Sequence, residues 1–306
     1  MTSLRIGQSI AVAVALGMLP FAQAVAVDAA GGKLKVLIVT GQNNHDWVHT
    51  TPVMKQILEE SGRFTVDVST TPAKGQKDSE AWKKWQPEFK GHDVVLFDYN
   101  GQDWPDEVCA SFTDYMIKGG GLVVVHGADN PFSKWKEFNE MIGVGGWGGR
   151  NEKSGPMLYW EDGKIVRDMS PGAGGTHGPQ TEFIVDTRVV DHPITKGLPA
   201  KWLHVKDELY SKLRGPATNL TVLATSLSGQ TQRNEPVLMV IDFGKGRVFH
   251  TVLGHSAEQM NGLGFQITLL RGTEWAASGK VTIDKPPVSD LKSDIAVTRP
   301  VAVPSK

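Results

Sequence analysis

Lys33-Leu-Lys-Val-Leu-Ile-Val39, followed at once by Thr40-Gly-Gln-Asn-Asn-His-Asp-Trp-Val-His49, decides the fold class. The apolar run does not alternate, which is the pattern of a strand covered on both faces. Residues 40–44 break it. Residues 52–61 then read as a helix, with Pro52 suited to a first turn, Val53, Ile57 and Leu58 on one face, and Gly62 as the stop. The unit recurs downstream. Residues 64–68, 93–97 and 122–125 read as further strands, and a helix begins near Asp103 or Trp104 and ends at the Gly119-Gly-Gly121 run. Buried strands alternating with helices imply an α/β fold with a doubly wound, mainly parallel sheet and right-handed crossovers.

After Phe132 the composition shifts to glycine-rich segments at 143–149 and 170–178. Residues 157–160 and 164–167 form a hairpin pattern, and 181–186 a further strand, so a mixed β-rich insertion is expected here. The parallel pattern then resumes at 220–224, 237–243 and 246–253, with a hairpin turn at Gly244-Lys-Gly246. Residues 261–277 read as the last helix. One domain is expected over 33–278, followed by a loose Pro-, Ser- and Val-containing tail over 279–306.

Residues 1–24 have the layout of a secretory signal peptide: Arg5, an apolar stretch over 10–21, and Ala22-Gln-Ala24 as a small-x-small cleavage site. The stretch falls short of the roughly 20 apolar residues of a membrane span. A periplasmic or secreted protein is expected, with no stable membrane insertion after cleavage; a leader retained as an anchor is the alternative. Cys109 is the single cysteine, so no disulfide is expected. The net charge of −1 and the lack of a basic block argue against a nucleic-acid partner. Nine Trp suit the C–H faces of sugars, although most Trp in any chain serve the core.

Ligand sites in open α/β sheets lie beyond the carboxyl ends of the strands. That rule selects the loop carrying His45, Asp46, Trp47 and His49; the loop before Trp104; and His126, at a strand-to-helix turn resembling a nucleophile elbow. It also selects His255, whereas His250 points to the opposite face of its strand. Asp207 and Glu208, in Trp202-Leu-His-Val-Lys-Asp-Glu-Leu-Tyr210, offer acceptors for hydroxyls or for an imidazole. Trp147, Arg150 and His177 sit among glycines that allow close approach of a ligand. His126 and His255 are acid/base candidates, with Asp46 or Asp207 orienting a ring. His45, His49, Trp47, Trp104, Trp147, Arg150, His177 and Glu208 are candidates for holding substrate. No cofactor is specified by motif. His45, His126 and His255 are candidates for a divalent metal, but their spacing carries no metal signature.

The ordered set of motifs resembles the trehalose-utilisation (ThuA-like) family. It comprises the first strand with residues 41–49, Tyr99-Asn-Gly101 with Trp104, Gly119-Gly-Gly-Leu-Val-Val-Val-His126, residues 135–150, Asp191-His-Pro-Ile194 with Gly197-Leu-Pro199, Asp207-Glu-Leu-Tyr210, and Gly244-Lys-Gly-Arg-Val-Phe-His-Thr251 with Leu253-Gly-His255. The resemblance implies a flavodoxin-like fold of the class I glutamine amidotransferase type. It also implies a sugar substrate, with a link to trehalose and 3-keto-sugar metabolism. Histidine stands where the amidotransferases carry their cysteine, and Cys109 lies in a helix, so glutamine hydrolysis is not expected. The expected function is conversion of a glycoside or 3-keto-sugar by histidine acid/base chemistry through isomerisation, elimination or hydrolysis. A non-catalytic sugar-binding protein and a metal-dependent hydrolase are the alternatives.

Overall fold

The computed structural model describes residues 32–303; the expected leader at 1–24 lies outside the described residues. The chain runs through β1 (Leu34–Thr40), α1 (Trp47–Glu60), β2 (Phe64–Thr70), α2 (Glu80–Lys84), β3 (Val94–Phe97), α3 (Asp106–Ile117) and β4 (Gly121–Val125). After α4 (Lys136–Ile142) come β5 (Met157–Glu161), β6 (Lys164–Asp168), β7 (Thr181–Thr187), β8 (Lys201–Asp207), β9 (Leu220–Leu227) and β10 (Asn234–Phe243). The sequence closes with β11 (Gly246–Thr251) and α5 (Leu263–Ser278).

The strand order is β2-β1-β3-β4-β11-β10-β9-β7-β8. The first five are parallel neighbours, and from β10 onward every pairing is antiparallel. Of the three segments in which the parallel pattern resumes, only β11 is parallel to its core neighbour; β9 and β10 belong to the antiparallel half. Their apolar runs reflect burial on both faces, which is blind to strand direction. The β5–β6 hairpin turns at Asp162-Gly163, where both residues have positive φ (48° and 78°), as a tight hairpin turn requires.

Helix α1 begins at Trp47, five residues before Pro52, so Pro52 lies inside it and not in its first turn. The carbonyl that Pro52 leaves without a partner belongs to Val48, which is exposed and open to water.

Helix α5 is buried along nearly its whole length. Two glycines let it pack closely. A Cβ on Gly264 would meet the Trp202 ring of β8 at 2.0 Å, and one on Gly272 would meet the Phe249 ring of β11 at 2.0 Å. The helix thereby clamps the far antiparallel strand against the parallel half. Trp202 is fully buried, and truncating it would cost about 3–5 kcal/mol.

Residues 279–303 do not form a loose tail. Leu203 N–H donates to Lys292 O (2.7 Å), Leu263 N–H to Val297 O (2.9 Å) and Arg299 N–H to Asn261 O (2.8 Å), while Leu291 is buried. At Leu203 this strap pairs an amide on the open edge of β8 that would otherwise lack a protein partner. Composition flagged the prolines and serines but not this edge.

Candidate active site

Three of the selected strand ends meet. His45 follows β1, His126 follows β4 and His255 follows β11. Their ring centroids lie 4.7–5.2 Å apart, and the ring planes stand at 80–89° to one another. Glu208, directly after β8, completes the group. Its Oε2 lies 3.0 Å from His255 Nδ1 and 3.8 Å from His126 Nε2, and His255 Nδ1 lies 3.3 Å from His126 Nε2. One donor atom from each of the four residues falls within 4.8 Å of all the others.

Each member is fixed from behind. His126 Nδ1 donates to Val252 O at 2.6 Å, so in the neutral ring its Nε2 is bare and faces the cluster. Its backbone is left-handed (φ 45°), the strained turn that aims the ring outward from β4. His45 Nδ1 bonds Asn43 Oδ1 at 3.1 Å. The Asn43 amide is oriented by donating Nδ2–H to Asp98, a buried carboxylate that also accepts from Thr50 and Thr51. Gly127 makes room for His45: a Cβ there would sit 2.5 Å from its Nδ1. Asp207, fully buried, accepts from Glu208 N–H, Gly254 N–H, His255 N–H and His204 Nε2. One carboxylate thus sets the positions of both Glu208 and His255.

The cluster opens into a pocket of about 560 Å³ walled by Trp147, Tyr210, His177, Asn44, Asn100 and Asp103. Tyr210 lies over His126 at 4.0 Å, and Trp147 meets Tyr210 edge-on at 4.7 Å.

Several expected site residues lie elsewhere. Asp46 and His49 are exposed and pair with each other at 2.6 Å, Asp46 as the residue that precedes α1 and His49 in its first turn. Trp47 does not line the pocket. Trp104 is fully buried in an aromatic core with Trp85, Phe97 and Phe132. Arg150 is buried, and its guanidinium donates to the carbonyls of Asn130, Pro131 and Gly146 and to Asn139 Oδ1. It therefore shapes the loop that presents Trp147. Asp207 faces away from the pocket and positions its neighbours.

The family model for trehalose utilisation (ThuA) matches residues 35–276. The chain belongs to the trehalose-utilisation family. A crystal structure of a ThuA-like protein from Parabacteroides merdae is 46% identical, with a TM-score of 0.82 over 87% of this chain and 98% of that one. A second ThuA-like protein, from Bacteroides uniformis, is 19% identical with a TM-score of 0.54, over 84% of this chain and 96% of that one, and shares the fold. No curated protein matches significantly. Membership of the ThuA family ties the chain to carbohydrate use and agrees with the α/β fold seen here.

Burial, together with the neighbouring His126 and His255 rings, lowers the His45 pKa to about 3 in this ThuA-family site. Burial pushes the Glu208 carboxyl upward, but its contacts with His126 and His255 outweigh that and hold it well below the usual range. The Glu208 contact raises His255. Cys109, in α3, is pushed up by burial to about 12, which leaves no thiolate for amide hydrolysis.

Sequence reasoning placed Glu208 at the substrate and missed its place within the cluster. It also passed over Asp98 and Asn43, although an acid directly after the buried run 94–97 was a usable signal.

Proposed function

We propose that this protein is an exported carbohydrate-converting enzyme acting on a glycoside or 3-keto-sugar, with the imidazole–carboxylate cluster as its reacting centre. The observation that carries the reading is the convergence of His45, His126, His255 and Glu208, of which His45, His255 and Glu208 line a pocket with an aromatic wall and an amide-rich rim while His126 lies buried just behind them. Such a wall suits the C–H face of a sugar ring, and amides and carboxylates suit its hydroxyls.

The chemistry follows from the groups present. A ketone makes the neighbouring C–H proton acidic, and removing that proton leaves negative charge on the ketone oxygen. A base must take the proton, and a positive or donating group must face the oxygen. The resulting enolate either takes a proton back at a different carbon, which is isomerisation, or expels a β-glycosidic oxygen that is protonated as it leaves. An ordinary two-carboxylate glycosidase is a poorer fit, because Glu208 is engaged with the imidazoles of His126 and His255.

Incubation with trehalose, other glucosides and their 3-keto forms, followed by product analysis, tests the proposal. Consumption of a keto-sugar or glycoside that is lost on His126→Ala supports it. Sugar binding without conversion would leave a carbohydrate-binding protein in its place.

A further inference from the structure

We infer that His45, His126, Glu208 and His255 form a binding site for one divalent first-row transition-metal ion. This deepens the proposed function by naming the electrophile that the sugar oxygen would face, and it rests on the same pocket. Three observations carry it.

The first is spacing. Metal–ligand bonds of about 2.0–2.1 Å in a tetrahedral site place neighbouring donors roughly 3.3 Å apart. The donor separations here are 3.0 Å (His255 Nδ1 to Glu208 Oε2), 3.3 Å (His255 Nδ1 to His126 Nε2) and 3.8 Å (His126 Nε2 to Glu208 Oε2). His45 brings the fourth donor within 4.8 Å of the rest.

The second is orientation. His126 and His45 each spend Nδ1 on an oxygen acceptor, Val252 O and Asn43 Oδ1, so Nε2 carries the lone pair; that of His45 is met only by a long 3.4 Å contact from the Tyr210 hydroxyl, which an ion would replace. This is the outer-shell arrangement that fixes the tautomer of metal-bound histidine. Behind Asn43 stands the Asp98 carboxylate, and behind Glu208 and His255 stands Asp207, which receives both of their backbone N–H groups. The ligand set therefore has a second layer on every side.

The third is the balance of donors and acceptors. His126 Nε2 and Glu208 Oε2 both present lone pairs to the same small space, and the single proton of His255 Nδ1, 3.3 Å and 3.0 Å from them, can serve only one. A positive ion between them removes the mismatch, which is costly where water is largely excluded. Three imidazole nitrogens and one carboxylate oxygen suit Zn²⁺, Mn²⁺, Fe²⁺, Co²⁺ or Ni²⁺ better than Ca²⁺ or Mg²⁺, which take oxygen ligands. Such an ion would polarise a sugar carbonyl or hydroxyl oxygen.

The test uses the untagged full chain. Elemental analysis of the purified protein, and calorimetric titration of chelator-treated protein with Zn²⁺, Mn²⁺, Co²⁺ and Ni²⁺, should both give about one ion per chain. Co²⁺ loading should add visible d–d absorption. Glu208→Gln and His255→Gln, checked for folding by circular dichroism, should each weaken binding by more than about tenfold. Glu182→Gln, on the exposed face of β7, should bind as wild type. Absence of binding to any of the four ions by folded wild-type protein, or unchanged binding in both ligand variants, overturns the inference. Turnover measured before and after chelation separates the two proposals. Conversion of sugar by metal-free protein removes the metal and keeps the enzyme, whereas metal binding without conversion of any sugar does the reverse.

Discussion

His126 donates its Nδ1 proton to the carbonyl of Val252, 2.6 Å away, and that bond decides what its other nitrogen can do. Val252 directly follows β11 and His126 directly follows β4, so the bond joins two adjacent parallel strands at their carboxyl ends. Replacing His126 by Ala removes the lone pair that faces His255 and Glu208 while leaving the strands paired. The expected outcome is loss of sugar turnover by about 10²–10⁴-fold with sugar binding largely retained. Steady-state kinetics alongside equilibrium binding checks this, and unchanged kcat would exclude a role for the ring.

Trp147 should act on affinity more than on rate. Its ring lies against Tyr210 and lines the pocket above the cluster. An aromatic contact of this kind contributes about 0.5–1.5 kcal/mol, so Trp147→Ala should raise KM by about two- to tenfold with kcat little altered. A fall in kcat alone would contradict the role of the ring as a sugar platform.

Asp207 should act on stability and rate together. Removing its carboxylate leaves His204 and three backbone N–H groups without their buried acceptor. Asp207→Ala should lower unfolding free energy by about 3–5 kcal/mol in denaturant titrations. It should also lower turnover, because Glu208 and His255 lose their common anchor. Asp46→Ala supplies the contrast. Its exposed pair with His49 contributes less than about 1 kcal/mol, and turnover should not change.

Glu235 gives a pH-dependent signature remote from the cluster. It is buried, accepts from Thr231 Oγ1 and Lys212 N–H, and burial raises its pKa from 4.5 to about 7. The folded chain holds this proton to higher pH than the unfolded chain. The stabilisation is therefore complete below about pH 4.5 and is lost as pH rises through about 7, by on the order of 3 kcal/mol. Glu235→Gln should flatten that part of the stability profile in melts between pH 4.5 and 8. A wild-type slope that survives the substitution would assign it to another group.

The parallel half of the fold could be read directly, because β1, β3 and β4 are short continuous apolar runs that end in polar loops. The three histidines at the site were legible for the same reason, since each follows such a run. Strand β8 was not. It alternates buried Trp202 and His204 with half-buried Leu203 and Val205, and its place at the site depends on its packing against α5, which also packs on β11. The place of Glu208 among the histidines was missed for the same reason: which of two adjacent acids faces them depends on the twist of an edge strand. Arg150 and Trp104 look like binding residues by type, and only the carbonyls and rings packed around them show that they are structural.

The boundary between β11 and β10 also divides the labour of the pocket. All three imidazoles arise on the parallel side, while Glu208, Tyr210, His177 and Trp147 come from the segment beyond α4. Changes in the later segment can therefore reshape the aromatic wall and leave the three nitrogen donors untouched. A chain trimmed to the parallel strands would keep three histidines and lose both the carboxylate and the aromatic part of the wall, Trp147 and Tyr210.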